Sequence, residues 1–177
     1  LADLRRSMGL DQPLIVQFWI WFSQAITGDL GVSAVNGAPV LPLILGRFAV
    51  TATIVVAALV FATLIAVPLG MIAAWKQDRL ADIGIVAFAT LLLSIPSFWL
   101  GLIFLLIFGV KLQWFPVVGY VPFSENPWEA LRYIVLPVVT LTLIEIGILT
   151  RMARSSTIDV LRLDYIAHAR AKGLPER

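Results

Sequence analysis

Long stretches without a charged side chain set the pattern of this sequence. Phe48–Trp75 and Ile83–Val110 are each 28 residues long and carry no charge. Tyr133–Thr150 is 18 residues long with a single acid, Glu145. About 20 apolar residues in a helix cross the bilayer core, so these windows predict three membrane-spanning helices, over about 48–75, 83–110 and 133–150. Gln12–Gly28 is also uncharged, but it holds Gln12, Gln17, Ser23 and Gln24 beside Phe18, Trp19, Trp21 and Phe22. Leu14, Phe18, Phe22 and Ile26 recur every four residues as one helical stripe. That pattern favours a helix lying at the membrane interface, where Trp is enriched, over a short span. Residues 29–47, with Gly31, Gly37, Pro39 and Pro42, read as a loop.

Composition narrows the class. The 177 residues are 60% hydrophobic and 14% charged, with a mean hydropathy of +0.94, which excludes an ordinary soluble domain and a disordered chain. A net charge of +2 excludes a nucleic-acid binder that works by phosphate neutralisation. The absence of Cys removes disulfides and thiolate ligands. The chain opens at Leu1 without a leader pattern and closes at Arg177 inside a motif, as expected of a piece of a longer protein. Lys and Arg are placed asymmetrically: Lys76 and Arg79 follow the first span, and six of the thirteen lie in residues 151–177. By the positive-inside rule these segments are cytoplasmic, and the N-terminal side of the chain is outside. The loop Lys111–Arg132, with Trp114, Phe115, Tyr120, Phe123 and Trp128, then reads as external.

Within the spans, Ala58, Ala62, Ala66, Gly70 and Ala74 stand four apart. Small residues at that spacing let helix backbones approach closely in lipid; the plainer reading is an Ala-rich helix without a particular partner. Pro68 is expected to kink this helix. In the second span, Ser94-Ile95-Pro96-Ser97, followed by Gly101, predicts a local break. Ser94 and Ser97 either line a path or bond back to freed carbonyls. Glu145, with Thr140 and Thr142 nearby, either lines a path or sits solvated among headgroups. No cofactor is called for and no catalytic group stands out: a phosphate-binding Gly-x-x-x-x-Gly-Lys-Ser/Thr loop and His-Glu-x-x-His are both missing.

The tail is polar but helical in pattern. Ser155-Ser156 are candidate caps, and Ile158, Leu161 and Tyr165 form a stripe. Residues 165–173 read Tyr165-Ile166-Ala167-His168-Ala169-Arg170-Ala171-Lys172-Gly173, then Leu174-Pro175, a helix that stops at Gly173. Such a low-profile helix suits either docking in another protein's groove or lying on the membrane surface. The segment Asp164–Leu174 resembles the EAA loop of permease subunits of binding-protein-dependent ABC importers, closest to the dipeptide, oligopeptide and nickel branch. Gly9-Leu10-Asp11-Gln12-Pro13-Leu14, Gly28-Asp29-Leu30-Gly31, Ser94-Ile95-Pro96-Ser97-Phe98-Trp99-Leu100-Gly101 and Leu136-Pro137 are similar to that branch as well. The generic motif's acid is missing: Ala167, His168 and Ala169 stand where it has Glu, Ala and Ala.

The resemblance implies an all-α polytopic bundle of the type I importer kind. It divides the chain into an external segment, 1–47, and a permease domain, 48–177, whose tail 151–177 is cytoplasmic. It implies that Tyr165, Ala167, His168, Ala169, Arg170, Ala171, Lys172 and Gly173 form the segment that couples to a cytoplasmic ATPase. It further implies a second, homologous permease subunit, an extracytoplasmic solute-binding protein and a prokaryotic plasma membrane. The rival from another class is a channel or secondary transporter, which needs no cytoplasmic docking helix.

Overall fold

The computed structural model describes residues 12–173. Gly9, Leu10 and Asp11 of the first motif, and Leu174 and Pro175 of the last, lie outside the described residues. The described chain forms α1 (Leu14–Ile26), α2 (Val40–Trp75), α3 (Leu80–Ser94), α4 (Ser97–Phe104) running into a π-helical segment (Leu105–Lys111), α5 (Pro127–Leu161) and α6 (Asp164–Ala171). Extended pairing among the described residues amounts to one isolated bridge, Val32 with Pro39. The protein is all-α.

Two units divide the chain, Leu1–Ala52 and Thr53–Arg177. In the first, α1 leaves Leu14, Phe18, Trp19, Trp21, Phe22 and Ile26 exposed. Phe18 and Phe22 stack at 5.7 Å, and Trp19 meets Phe22 edge-on at 5.7 Å. The loop after it is shorter than the composition predicts, because α2 begins at Val40 rather than Phe48. Pro42 falls in the first turn, where an amide has no intrahelical partner to lose. Arg47 does not interrupt the helix; a charge-free window marks where lipid excludes charge, not where helical hydrogen bonding stops.

In the second unit α5 is the central helix. Ala62 and Ala66 of α2, Leu92 of α3 and Ile146 of α5 form one buried cluster. Ala58 of α2 with Ile134 and Val138 of α5 forms another. The α2 helix continues through Pro68. Helix α5 is longer than its charge-free window, running from an Asn126 cap, whose Oδ1 accepts the Glu129 amide at 3.2 Å, to Leu161. Ser155 and Ser156 are therefore mid-helix and exposed rather than caps, since no helix starts there. Helix α6 starts at Asp164, after Arg162 and Leu163.

Helices α2 and α5 are each long and apolar enough to cross a membrane. At 36 and 35 residues they rise about 50 Å against a core of about 30 Å, so both project beyond it. The span expected over 83–110 starts earlier, at Leu80, and breaks at the predicted place: α3 and the α4–π segment meet at 89°. The cause is local. Ile95 precedes a proline and takes extended backbone (ψ 122°), and Pro96 follows at ψ 132° without an amide to donate.

Candidate functional site

Three helices converge tightly at the end of the second unit that carries Lys76 and Arg79. The close approach starts with Gly70: a Cβ there would lie 2.6 Å from Ala153 Cβ, 2.7 Å from the Thr150 carbonyl oxygen and 2.8 Å from the Arg154 amide nitrogen. Only glycine lets α2 and α5 touch backbone to backbone at this point. Ala58, Ala62, Ala66 and Ala74 continue the same buried face. Toward α3, a Cβ at Gly147 of α5 would lie 2.9 Å from the Ala89 carbonyl oxygen.

The same convergence buries a charge pair. Asp82, in the first turn of α3, is 3% exposed. Its Oδ1 and Oδ2 accept Arg154 Nε and Nη2, each at 2.6 Å, in the planar fork that guanidinium and carboxylate share. Oδ2 also accepts the Asp78 amide at 3.0 Å. Asp78 reaches that position with φ +63°, unusual for a residue with a Cβ. The Lys76–Arg79 turn, the start of α3 and the far part of α5 are thus tied through one carboxylate. Beside it, Thr150 Oγ1 is buried without a hydrogen-bond partner.

The opposite half of α5 is built loosely. Thr140 Oγ1 donates to the Leu136 carbonyl at 2.8 Å, and Pro137 offers no amide to the Tyr133 carbonyl. Across from it, α4 presents Ser97 and Gly101; a Cβ at Gly101 would meet Thr140 Cγ2 at an ordinary 3.6 Å. Ser97, Gly101, Tyr133, Pro137 and Thr140 line part of a cavity of about 510 Å³. Its wall beyond α4 is the π segment and the turn after it. Phe104, Phe108 and Trp114, which pack ring against ring at 5.8 and 5.6 Å, line a separate cavity. Arg132 donates to the Trp114 carbonyl at 3.1 Å.

Of the four polar residues that the sequence offers for a path, the cavity brings together Ser97 and Thr140. Ser94 is exposed and donates back to the Thr90 carbonyl at 2.9 Å, the bonding use of such a serine. Glu145 is half-buried on α5 away from this cavity's lining. Among the described residues no group of His, Asp and Glu could hold a metal ion.

Helix α6 carries Tyr165, Ala167, His168, Ala169, Arg170 and Ala171; Lys172 and Gly173 follow it. Tyr165 is 60% exposed, and His168 is exposed as well. Gly173 has φ +73°, the left-handed conformation that ends a helix at low cost only for glycine. Two residues join α6 to α5, and the turn is bonded throughout. The Arg162 amide donates to Asp159, Leu163 to Val160 and Ile166 to Leu163, at 3.0–3.3 Å.

Known proteins share this chain's sequence over most of its length. It is 39% identical over 173 residues to a Brucella suis protein provisionally named a peptide transport system permease protein, covering 98% of this chain and 55% of that one. It is 37% identical to the glutathione transport system permease protein of Escherichia coli, over 98% of this chain and 54% of that one. It is 36% identical to the oligopeptide transport system permease protein of Bacillus subtilis, over 95% and 54%. The chain thus spans about half the length of these relatives. Residues 66–177 match the family described as binding-protein-dependent transport system inner membrane components. With the broken helix, the seam of small residues and the projecting α6 already in view, this chain belongs to that family, as part of a multi-pass membrane protein.

Proposed function

We propose that this chain is part of the path-forming permease of an ATP-driven importer for peptides or a related small solute, and that α6 docks on a separate cytoplasmic ATPase. The observation that carries the reading is α6 itself. It is a short, alanine-rich helix with exposed Tyr165 and His168, closed by Gly173, and held on the end of α5 by two bonded residues. A projecting helix with small side chains fits a groove on a partner, and a channel or secondary transporter has no need of it. Hydrolysis belongs to the partner, because this sequence carries no phosphate-binding loop.

The path runs past Ser97 and Thr140, which face a common cavity between α4 and α5. Polar side chains at membrane depth face protein or water rather than lipid. A second permease subunit completes that path from the other side, and an extracytoplasmic solute-binding protein delivers the solute. The relatives named for peptide, oligopeptide and glutathione transport support this substrate class. The Lys76–Arg79 turn and α6 face the cytoplasm, and the loop between Lys111 and Arg132 faces outward, in keeping with the Lys and Arg distribution.

The test uses Gly173→Val in the full-length permease expressed with its ATPase. A β-branched residue is strained at φ +73°, so the end of α6 is remodelled while the spans stay untouched. Co-purification of the ATPase is expected to fall at least about tenfold, the equivalent of 1.4 kcal/mol of binding, with unchanged membrane insertion. Undiminished co-purification and uptake would overturn the docking role. Orientation is read separately: a Cys at Gln77 labels only from the cytoplasm, and one at Ser124 only from outside.

A further inference from the structure

We infer that Asp82 and Arg154 are positioning residues for energy coupling: their buried ion pair makes α6, the end of α5, the Lys76–Arg79 turn and the start of α3 move as one body. The inference rests on the reading that α6 docks on an ATPase, and goes beyond it by naming how displacement leaves α6.

Three observations on different elements support it. First, α6 cannot swing freely on α5, because both linking residues are in bonded turns. Second, that end of α5 is locked to α2 by backbone contact at Gly70, where there is no room for a methyl group. Third, it is locked to α3 by Asp82, a residue 3% exposed, whose carboxylate accepts two bonds from Arg154 and one from the Asp78 amide. Side-chain packing alone lets helices shift by 1–2 Å. A two-pronged guanidinium–carboxylate pair whose carboxylate side is buried resists such sliding, because displacement leaves that carboxylate unpaired. A push on α6 is therefore delivered to α3. From there it reaches the 89° bend at Ile95–Pro96, and α4 beyond it lines the cavity. An ordinary stabilising salt bridge could lie anywhere on the fold. This one ties the Lys76–Arg79 turn and the start of α3 to the part of α5 that leads into α6.

The experiment uses the full-length transporter with its ATPase, in lipid, with spin labels at Gln77 and Asp164. Both positions are exposed, and Asp164 is the first residue of α6, ahead of Tyr165–Gly173. In the unaltered protein the distance between the labels is expected to stay the same, within label uncertainty, with and without ATP. In Asp82→Asn, which keeps the shape and loses the charge, the distribution is expected to broaden at least about twofold. Solute moved per ATP is expected to fall at least about tenfold, with ATPase association and hydrolysis kept within about twofold. Arg154→Lys, a point charge without the fork, is expected to lie between the two. A purely structural role would lower uptake and hydrolysis together, in step with the amount of folded protein.

A change of about one helical turn, roughly 5 Å, between the labels of the unaltered protein on ATP binding would overturn the inference. So would Asp82→Asn with normal solute moved per ATP. Loss of the ATPase from the unaltered complex would instead overturn the docking reading, which keeps the two failures distinct.

Discussion

The two halves of α5 are packed on opposite principles. Around Gly147, Thr150, Ala153 and Arg154, backbones touch, side chains are small and one buried ion pair spans two helices. Around Tyr133, Pro137 and Thr140, the facing α4 stands off far enough to leave a cavity of about 510 Å³. Pro137 leaves the Tyr133 carbonyl without its amide partner there, and the adjoining helix is partly π. Interiors that are close-packed switch between discrete arrangements rather than deform, whereas helices broken by proline have backbone groups free to re-pair. In the proposed mechanism the first of these halves is a handle, and the second is where shape changes. In lipid this contrast cannot come from hydrophobic burial, since tails are as apolar as Leu; it comes from contact distance and polar pairing.

The contrast is broken most severely by Arg154→Ala. Removing one partner of a buried pair costs about 3–5 kcal/mol, because the other charge stays behind. With the Arg154 side chain 26% exposed, some water reaches the site, so the low end, about 3 kcal/mol, is expected. Thermal unfolding of the purified permease should show it as a lowered midpoint.

Two alanines sharpen the contrast next. Gly70→Ala drives a methyl group to 2.6 Å from Ala153 Cβ and against rigid backbone. It should destabilise by about 1–3 kcal/mol. Gly101→Ala meets only Thr140 Cγ2 at 3.6 Å, and helix propensity favours it by up to about 1 kcal/mol. It should be neutral or mildly stabilising. Midpoints measured side by side decide, and equal effects would remove the distinction between handle and path.

The smallest effect is expected of Thr150→Val. The hydroxyl is buried without a partner, so an isosteric apolar replacement restores a desolvation cost of about 1 kcal/mol. The midpoint should hold or rise slightly.

Much of the handle was legible in the residues. Small side chains four apart on α2 carry their own mechanism, and Ala58, Ala62, Ala66 and Gly70 are buried together. The break at Pro96 and the stop at Gly173 follow from the missing amide and the left-handed φ. The Asp82–Arg154 pair escaped, because the partners stand 72 residues apart. In sequence, Asp82 is merely the edge of a charge-free window and Arg154 one of several tail cations. One signal was available: Gly147, Thr150 and Arg154 fall at i, i+3 and i+7, on one helical face. Two small or short residues on the face of a cation point to a neighbouring helix rather than to solvent. The helix boundaries escaped for another reason. Charge-free windows measure the lipid core, while α2 and α5 keep their backbone bonds beyond it, from Val40 and on to Leu161. The π segment and the cavity depend on how α4 meets α5, which no local pattern records.

The central claim is that α6 joins this membrane unit to an ATPase. Its most direct test removes Ala167–Gly173 from the full-length permease, reconstitutes it with its ATPase and binding protein, and follows ATP-driven uptake. Radiolabelled dialanine, an oligopeptide and glutathione serve as probes, scored on whichever the unaltered transporter accumulates. The account predicts normal insertion, loss of the ATPase and no uptake above background. Uptake at the unaltered rate would contradict it.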